Sequence, residues 1–141
     1  MSVSRSAIDL HKGAIRLLRL LRREDSASGL SAPRLSALSV LAFGGARSLS
    51  ALAAAEQVAL PTMSRLVKQM EGEGLLTRSA NPADGRGIQL EITAAGQALM
   101  AAGRQRRLKR LQQWLDALPA QQRRTLDAAI PVLLGLGAAP D

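Results

Sequence analysis

With 141 residues, 47% of them apolar and 21% charged, the chain has the composition of one globular, soluble domain with its own core. It has no cysteine and only one histidine, which excludes disulfides and thiolate metal sites and leaves any zinc or iron site to scattered carboxylates. No apolar run approaches the roughly 20 residues that cross a bilayer, so no membrane partner is expected.

The sequence also lacks the motifs of common catalytic sites. It contains no GxSxG, no glycine loop that would cradle a phosphate and no HExxH. The only imidazole, that of His11, lies in an N-terminal helical stretch away from any serine-rich turn. We therefore expect no enzyme, no metal and no cofactor.

A net charge of +8 indicates a polyanionic partner, most commonly nucleic acid. Residues 1–43 and 93–141 each carry seven Lys or Arg against three Asp or Glu, whereas residues 44–92 carry five of each sign. The excess charge therefore lies at the two ends, and any site in the middle must be argued from residue positions.

Apolar residues at helical spacing predict four helices in the first half of the chain. They are residues 7–23, residues 31–43 with Ser31 as cap and Gly44 and Gly45 at the end, residues 49–56 capped by Ser48, and a helix from about residue 60 to residue 72 or 74. Only residues 57–59 separate the last two. Two short helices joined so closely, the second with a polar outer face, are typical of a helix-turn-helix.

After Gly74 the apolar period changes to two, which predicts a β-hairpin. Its strands are expected at residues 75–78 and 88–92, with turn residues between them and Asp84-Gly85 at the tip. Such a hairpin after a helix-turn-helix is a wing.

Two further helices are predicted at the C-terminus. Thr93 is expected to cap a helix over residues 94–118, and a last helix over residues 120–136 should be kinked or shortened by Pro131. The fold class is thus mainly α with a small β-hairpin wing. One domain is expected, with residues 31–93 forming the winged helix-turn-helix and residues 1–30 and 94–141 forming a helical dimerisation region, because the terminal helices have more apolar surface than a small core buries.

The fourth predicted helix suits the major groove of DNA, which admits one α-helix. Its inner face would pack on the preceding helix and leave a polar edge outside, formed by Thr62, Ser64, Arg65, Lys68 and Gln69. Arg65 is the best candidate for reading a guanine, Lys68 suits a phosphate, and the two hydroxyls suit bases or phosphates.

The hairpin adds three candidates. Arg86 near the tip could enter a minor groove, where the negative potential attracts guanidinium groups. Asp84 would orient that arginine or brace the turn, and Arg78 at the base of the wing could hold a phosphate.

Other interpretations of these residues remain open. The polar edge would also suit a solvated helix face, and a winged fold can serve as a protein-interaction module that reads no DNA. The five cations between residues 104 and 110 are more simply explained as a solvated face that attracts phosphate without reading sequence. Mutation of Arg65 and Arg86, and the salt dependence of DNA binding, would separate these hypotheses.

Five segments together resemble regulators of the MarR family: LAAAEQV at 52–58, PTMSRLV at 61–67, GLLTR at 74–78, NPADGR at 81–86 and ITAAG at 92–96. The similarity covers about residues 35–100. It implies a sequence-specific regulator of transcription that binds double-stranded DNA in the cytoplasm as a homodimer on a palindromic site. It further implies a repressor that is often released by a small phenolic or other amphipathic ligand. The family's recognition-helix positions fall on residues 61–69, which adds Pro61 to the candidates, and its wing Asp and Arg fall on Asp84 and Arg86.

The chain departs from the family pattern at three points. Many members have Gly where Gln57 stands, so the turn between the two helices is expected to be less relaxed here. Many have a Ser cap where Ala59 stands, a loss of about 1 kcal/mol at the helix start. Members that sense oxidants use cysteine, which is missing here.

Overall fold

The computed structural model describes residues 2–136, except for the side chains of Asp84 and Arg86. In chain order the elements are α1 (Arg5–Asp25), α2 (Ala32–Gly44), α3 (Leu49–Glu56), α4 (Leu60–Gly72), β1 (Leu76–Asn81), β2 (Asp84–Ile92), α5 (Ala94–Asp116) and α6 (Ala120–Leu134), with one 3-10 turn at Ser26–Ser28. The predicted fold class, mainly helical with one antiparallel hairpin, is confirmed.

Side-chain caps mark the starts of α1 and α3. The side chains of Ser4 and Ser48 accept hydrogen bonds from the amides of Ala7 and Ala51, at 3.2 and 3.1 Å. Ser31 stands at the capping position of α2 with an extended backbone, but its side chain caps no amide of the helix, contrary to the prediction; α2 carries a proline in its first turn and is followed by Gly45, with a φ of +79°. These bounds lie within a few residues of the predicted ones.

The core lies between α2, α3, α4 and the hairpin. Leu38 of α2, Leu52 of α3, Met63 of α4 and Leu76 and Leu90 of the two strands are each at most 2% exposed. Neither α1 nor α6 contains a buried residue among the described ones. The helix-turn-helix and the wing therefore share one apolar interior, which fixes α4 against the hairpin.

The hairpin differs from the prediction at its tip. Both strands are longer than expected, and the connecting residues are Pro82 and Ala83, so Asp84-Gly85 lies in β2 and not at the tip. Proline presets the φ of a turn position, and the side-chain oxygen of Asn81 accepts a hydrogen bond from the amide of Ala83 at 3.0 Å. These local bonds outweigh the turn preference of Asp-Gly.

The strand register is also irregular near the tip. Asn81 pairs with Asp84, whereas the preceding Ala80 pairs with Ile88, so residues 85–87 of β2 have no partner on β1. A glycine-flanked bulge of this kind allows β2 to depart from regular pairing.

A short pairing that the sequence analysis did not predict joins the segment before α3 to the wing. Arg47 and Leu90 exchange backbone hydrogen bonds of 3.1 and 2.7 Å as an isolated antiparallel bridge. The hairpin is thereby tied to the start of the helix-turn-helix.

The chain divides into two compact units, residues 1–107 and 108–141. In the second unit, Arg123 of α6 bonds Asp116 at 3.6 Å and Asp127 at 3.1 Å. Pro131 lies inside α6, and the helix continues three residues beyond it to Leu134, two residues short of the predicted end. The assignment of residues 1–30 and 94–141 to dimerisation stays a prediction.

Candidate nucleic-acid interface

Helix α4 has one face in the core and one face in solvent. Met63, Val67 and Met70 are buried. The predicted polar edge lies outside: Pro61, Arg65, Lys68 and Gln69 are exposed, and Thr62 and Ser64 are half-buried. The structure therefore brings the six α4 candidates together on the accessible side of a helix whose other side is held by apolar packing.

The cations on this face are available for a ligand. Neither Arg65 nor Lys68 forms an ion pair with another described residue, whereas the two acidic residues at the end of the helix, Glu71 and Glu73, are both paired with arginines. The exposed edge of α4 is therefore locally positive although residues 44–92 are neutral as a whole. A positive edge on a rigid helix can neutralise phosphates and reach base edges.

The turn before α4 carries backbone strain at the position where the family often has glycine. Gln57 has a φ of +55°, the one positive φ of a residue other than glycine in the described chain. Its amide and that of Val58 donate to the carbonyls of Ala54 and Ala53 at 3.2 and 3.1 Å, which ends α3. The less relaxed turn expected from the sequence is present.

The start of α4 lacks a side-chain cap. Ala59 has the backbone of a capping residue, with φ −65° and ψ 146°, but offers no acceptor. Ser48 has nearly the same backbone, with φ −68° and ψ 159°, and does cap α3. The first-turn amides of α4 are consequently left without the bond that a serine would supply.

Arg78 lies where the sequence places it, at the base of the wing, and it has a protein partner. Its Nε donates to Glu71 Oε2 of α4 at 2.8 Å, with both side chains about one-third exposed. This bond orients the Arg78 side chain. It uses only one of the five N–H donors of the guanidinium, so the terminal nitrogens can still donate to an oxygen outside the protein.

The wing carries the other two candidates on β2. The backbone of Asp84 pairs with Asn81 next to the turn, and Arg86 stands in the segment that has no partner on β1. Their side chains, and so the predicted contact between them, lie outside the described residues.

Thr93, predicted as the cap of α5, also makes contacts at the base of the wing that the sequence did not predict. The hydroxyl of Thr93 donates to the carbonyl of Gly74 at 2.6 Å and accepts from the amide of Gly96 at 3.1 Å, while its own amide donates to Leu75. A Cβ on Gly96 would lie 2.3 Å from the carbonyl oxygen of Leu75, so only glycine fits there. In the sequence, the glycine at residue 96 is notable only as part of the ITAAG segment that resembles the MarR family.

A cavity of about 730 Å³ lies in the first unit, apart from the outer edge of α4. Leu30, Ala32, Leu35, Phe43 and Met100 supply its apolar side chains. Its other lining residues are polar or charged: Arg22, Asp25, Ser26, Ser36, Ser39 and Arg107. Five apolar and six polar residues thus line the cavity, so its wall is mixed in character.

Other kinds of site find little support in the part of the chain that the structure describes. Residues 2–136 hold no group of three His, Cys, Asp or Glu side chains placed to bind a metal ion. Within the same residues, no helix has the length and apolar character needed to cross a membrane.

Comparison with known proteins agrees with this geometry. Residues 30–88 match the model of the MarR family. The HTH-type transcriptional regulator Mb0904 of Mycobacterium bovis is 35% identical over 135 residues, which cover 96% of this chain and 94% of that protein.

Two solved structures share the fold. The transcriptional regulator Tm0710 from Thermotoga maritima superposes with a TM-score of 0.79 and 24% identity, over 90% of this chain and 89% of that one. A mutant of S. aureus MepR bound to an oligodeoxyribonucleotide superposes with a TM-score of 0.73 and 17% identity, over 95% and 98%. The chain belongs to the MarR family of DNA-binding winged helix-turn-helix transcriptional regulators and is not an enzyme.

Proposed function

We propose that the protein is a ligand-responsive repressor that acts in the cytoplasm as a homodimer on a palindromic operator, with α4 in the major groove and the wing in the adjacent minor groove. The observation that carries the proposal is the outer edge of α4, where Arg65 and Lys68 are exposed and form no ion pair with another described residue, while the opposite face is buried in the core. The MepR neighbour, which shares the fold, is bound to an oligodeoxyribonucleotide.

Each candidate on α4 has a role that follows from its chemistry. Arg65 bonds O6 and N7 of a guanine together, because its guanidinium presents two parallel donors. Lys68 neutralises a phosphate, and Gln69 and the half-buried hydroxyls of Thr62 and Ser64 bond bases or phosphates within reach. Pro61, which has no amide hydrogen, starts the helix at the groove and presents an apolar ring.

The wing contacts the flank of the same half-site. Arg86 enters the minor groove, and Asp84, two residues before it, orients the guanidinium. Arg78, held through its Nε by Glu71, donates its terminal nitrogens to a backbone phosphate. These contacts would set the register of the module on the duplex.

The proposed dimer is supported by apolar surface that the single chain leaves in solvent. Leu10, Leu17 and Leu18 of α1 are exposed, as are Leu133 and Leu134 of α6. Exposed apolar stripes of this kind are most simply buried against a second copy of the chain that is related by a two-fold axis. The two α4 helices would then meet a palindrome about 34 Å apart, one turn of DNA.

The proposed ligand response is supported by the cavity of the first unit. Its apolar residues and the guanidinium of Arg22 suit a small amphipathic effector, aromatic or otherwise. An effector releases DNA only by the difference in its affinity for the free and DNA-bound conformations.

The test is selection of bound duplexes from a random pool, followed by fluorescence anisotropy on the enriched sequence. We expect a palindrome to emerge and its affinity to fall steeply with salt. Arg65→Ala should cost about 1–3 kcal/mol and relax the preference at one base pair, whereas Lys68→Ala should weaken all duplexes alike and lower the salt slope by about 0.9.

Arg104→Ala is the matched control, because it removes an exposed cation from α5 rather than from the proposed interface. It should leave the selected sequence unchanged. Salt-independent or undetectable binding of duplex DNA by the unaltered chain would favour a protein-interaction module, and retention of full specificity by Arg65→Ala would refute the assigned contact.

A further inference from the structure

An ion pair that the proposed DNA contacts do not use joins α2 to the far end of α4. Arg34, in the first turn of α2, donates to the carboxylate of Glu73, the capping residue directly after α4, although the two are 39 positions apart in sequence. The same guanidinium lies 3.4 Å from the hydroxyl of Ser31 and from the carbonyl of Gly29. One side chain thus connects the segment between α1 and α2, the start of α2 and the end of α4.

Glu73 stands where a helix disfavours a carboxylate. The C-terminal end of a helix carries partial negative charge, so an acidic side chain in the last turn is destabilising unless a cation offsets it. Both acidic residues at this end have such a cation: Glu73 has Arg34 from α2, and Glu71 has Arg78 from β1. The placement of these carboxylates is explained by their partners and not by the helix itself.

The two pairs add directionality to the packing of α4. Apolar contact of Met63, Val67 and Met70 with the core sets which face points inward, but this attraction is non-directional. Hydrogen bonds between charged groups depend on distance and angle. Here they hold the C-terminal end of α4 to two neighbouring elements, α2 and β1.

We propose that Arg34 is a positioning residue for DNA recognition: by holding Glu73 it fixes the direction of α4 and thereby the place where Arg65 and Lys68 meet the groove. The proposal rests on the proposed function, in which α4 reads DNA. Arg34 itself is not a DNA contact, since its side chain is only 17% exposed and is occupied by Glu73.

Neutralising Glu73 separates positioning from simple charge, because the two effects have opposite signs. Glu73→Gln removes a negative charge from the chain, which on electrostatics alone leaves binding to every duplex equal or stronger. Positioning predicts that affinity for the selected palindrome falls about fivefold, the factor for one kcal/mol, while affinity for a scrambled duplex stays equal or rises. Arg34→Gln should show the same loss for the palindrome.

The control uses an ion pair of the same signs that lies within one helix. Arg5 and Asp9 of α1 are bonded at 2.8 Å, so Arg5→Gln and Asp9→Asn make matched charge changes without touching α4. They should leave the ratio of specific to nonspecific affinity unchanged at a concentration where each variant has the oligomeric state of the wild type. The exchanged double variant, Arg34→Glu with Glu73→Arg, should recover part of the palindrome affinity because it restores a pair.

The outcomes distinguish a failure of the proposed function from a failure of the positioning role of Arg34. A wild-type chain that enriches no sequence contradicts the proposed function before any variant is made. If the wild type selects a palindrome but Glu73→Gln binds it as tightly or more tightly, the positioning role is wrong. It is also wrong if Arg34→Gln lowers the salt slope by about 0.9, because Arg34 would then contact a phosphate.

Discussion

The two ends of α4 are stabilised to different degrees. At its start, Ala59 supplies no cap and Gln57 occupies a left-handed backbone conformation. At its end, Glu71 and Glu73 are paired with arginines of neighbouring elements, and the chain passes directly into the base of the wing. Local stabilisation is therefore concentrated at the end away from the proposed base contacts, while the end that we propose to enter the groove lacks a side-chain cap and begins after a left-handed residue. Sites of recognition commonly depart from local rules in this way, and the rest of the fold compensates.

The largest effect on stability is expected at Gly96, in the first turn of α5, which packs against the base of the wing. Gly96→Ala places a methyl group 2.3 Å from the Leu75 carbonyl oxygen and 2.6 Å from Ile92 Cγ1, and the backbone oxygen cannot move aside easily. We expect the free energy of unfolding to fall by about 3 kcal/mol, at the upper end of the cost of overpacking. Urea unfolding at fixed protein concentration measures it, because the stability of the proposed dimer would depend on concentration.

Gly13→Ala is the matched control for this substitution. Gly13 lies within α1, and nothing stands within 4 Å of the position that its Cβ would take. The same change should therefore stabilise α1 by between about 0.5 and 1 kcal/mol, the usual gain of alanine over glycine in a helix. Equal effects at the two positions would mean that the base of the wing is not tightly packed.

The sequence predicted the elements whose determinants are local. Ser48 and its bond to Ala51, and Thr93 and its bond to Gly96, each span three residues, so the helix starts that they cap could be placed from the sequence. The faces of α4 followed equally from its 3.6-residue period. At the tip of the hairpin two local signals competed, and Pro82 prevailed over Asp84-Gly85.

Contacts between distant residues could not be predicted in this way. Arg34 and Glu73, and the backbone pair of Arg47 and Leu90, are brought together only by the packing of the core, and no spacing in the sequence marks them. The pairing of Arg78 with Glu71 spans only seven residues, but it depends on how β1 leaves α4. Such long-range contacts orient the elements of the proposed site, whereas the spacing of residues along α4 decides which side chains belong to it.

A smaller effect is expected from capping the open end of α4. Ala59→Ser introduces an acceptor on a backbone that matches that of Ser48, so the free energy of unfolding should rise by about 1 kcal/mol. Ser48→Ala is the reciprocal change on α3 and should lower it by about the same amount. If Ala59→Ser has no effect while Ser48→Ala does, the start of α4 is already stabilised by another group and the two ends are less different than they look.

The smallest effect is expected at Gln57, where strain and chain entropy act in opposite directions. Left-handed backbone costs a side-chain-bearing residue about 1–2 kcal/mol, and Gln57→Gly removes that cost. Glycine also gives the unfolded chain more freedom, which returns about 0.4–1 kcal/mol, so a net gain of about 0.5 kcal/mol is expected in urea unfolding. Glu56→Gly, one residue earlier in the last turn of α3, has no strain to relieve and should lose up to about 1 kcal/mol. The sign of the change in unfolding free energy for Gln57→Gly is therefore the test. A loss equal to that of Glu56→Gly would show that the turn before α4 stores no strain. The contrast between the two ends of α4 would then rest only on the missing cap at Ala59.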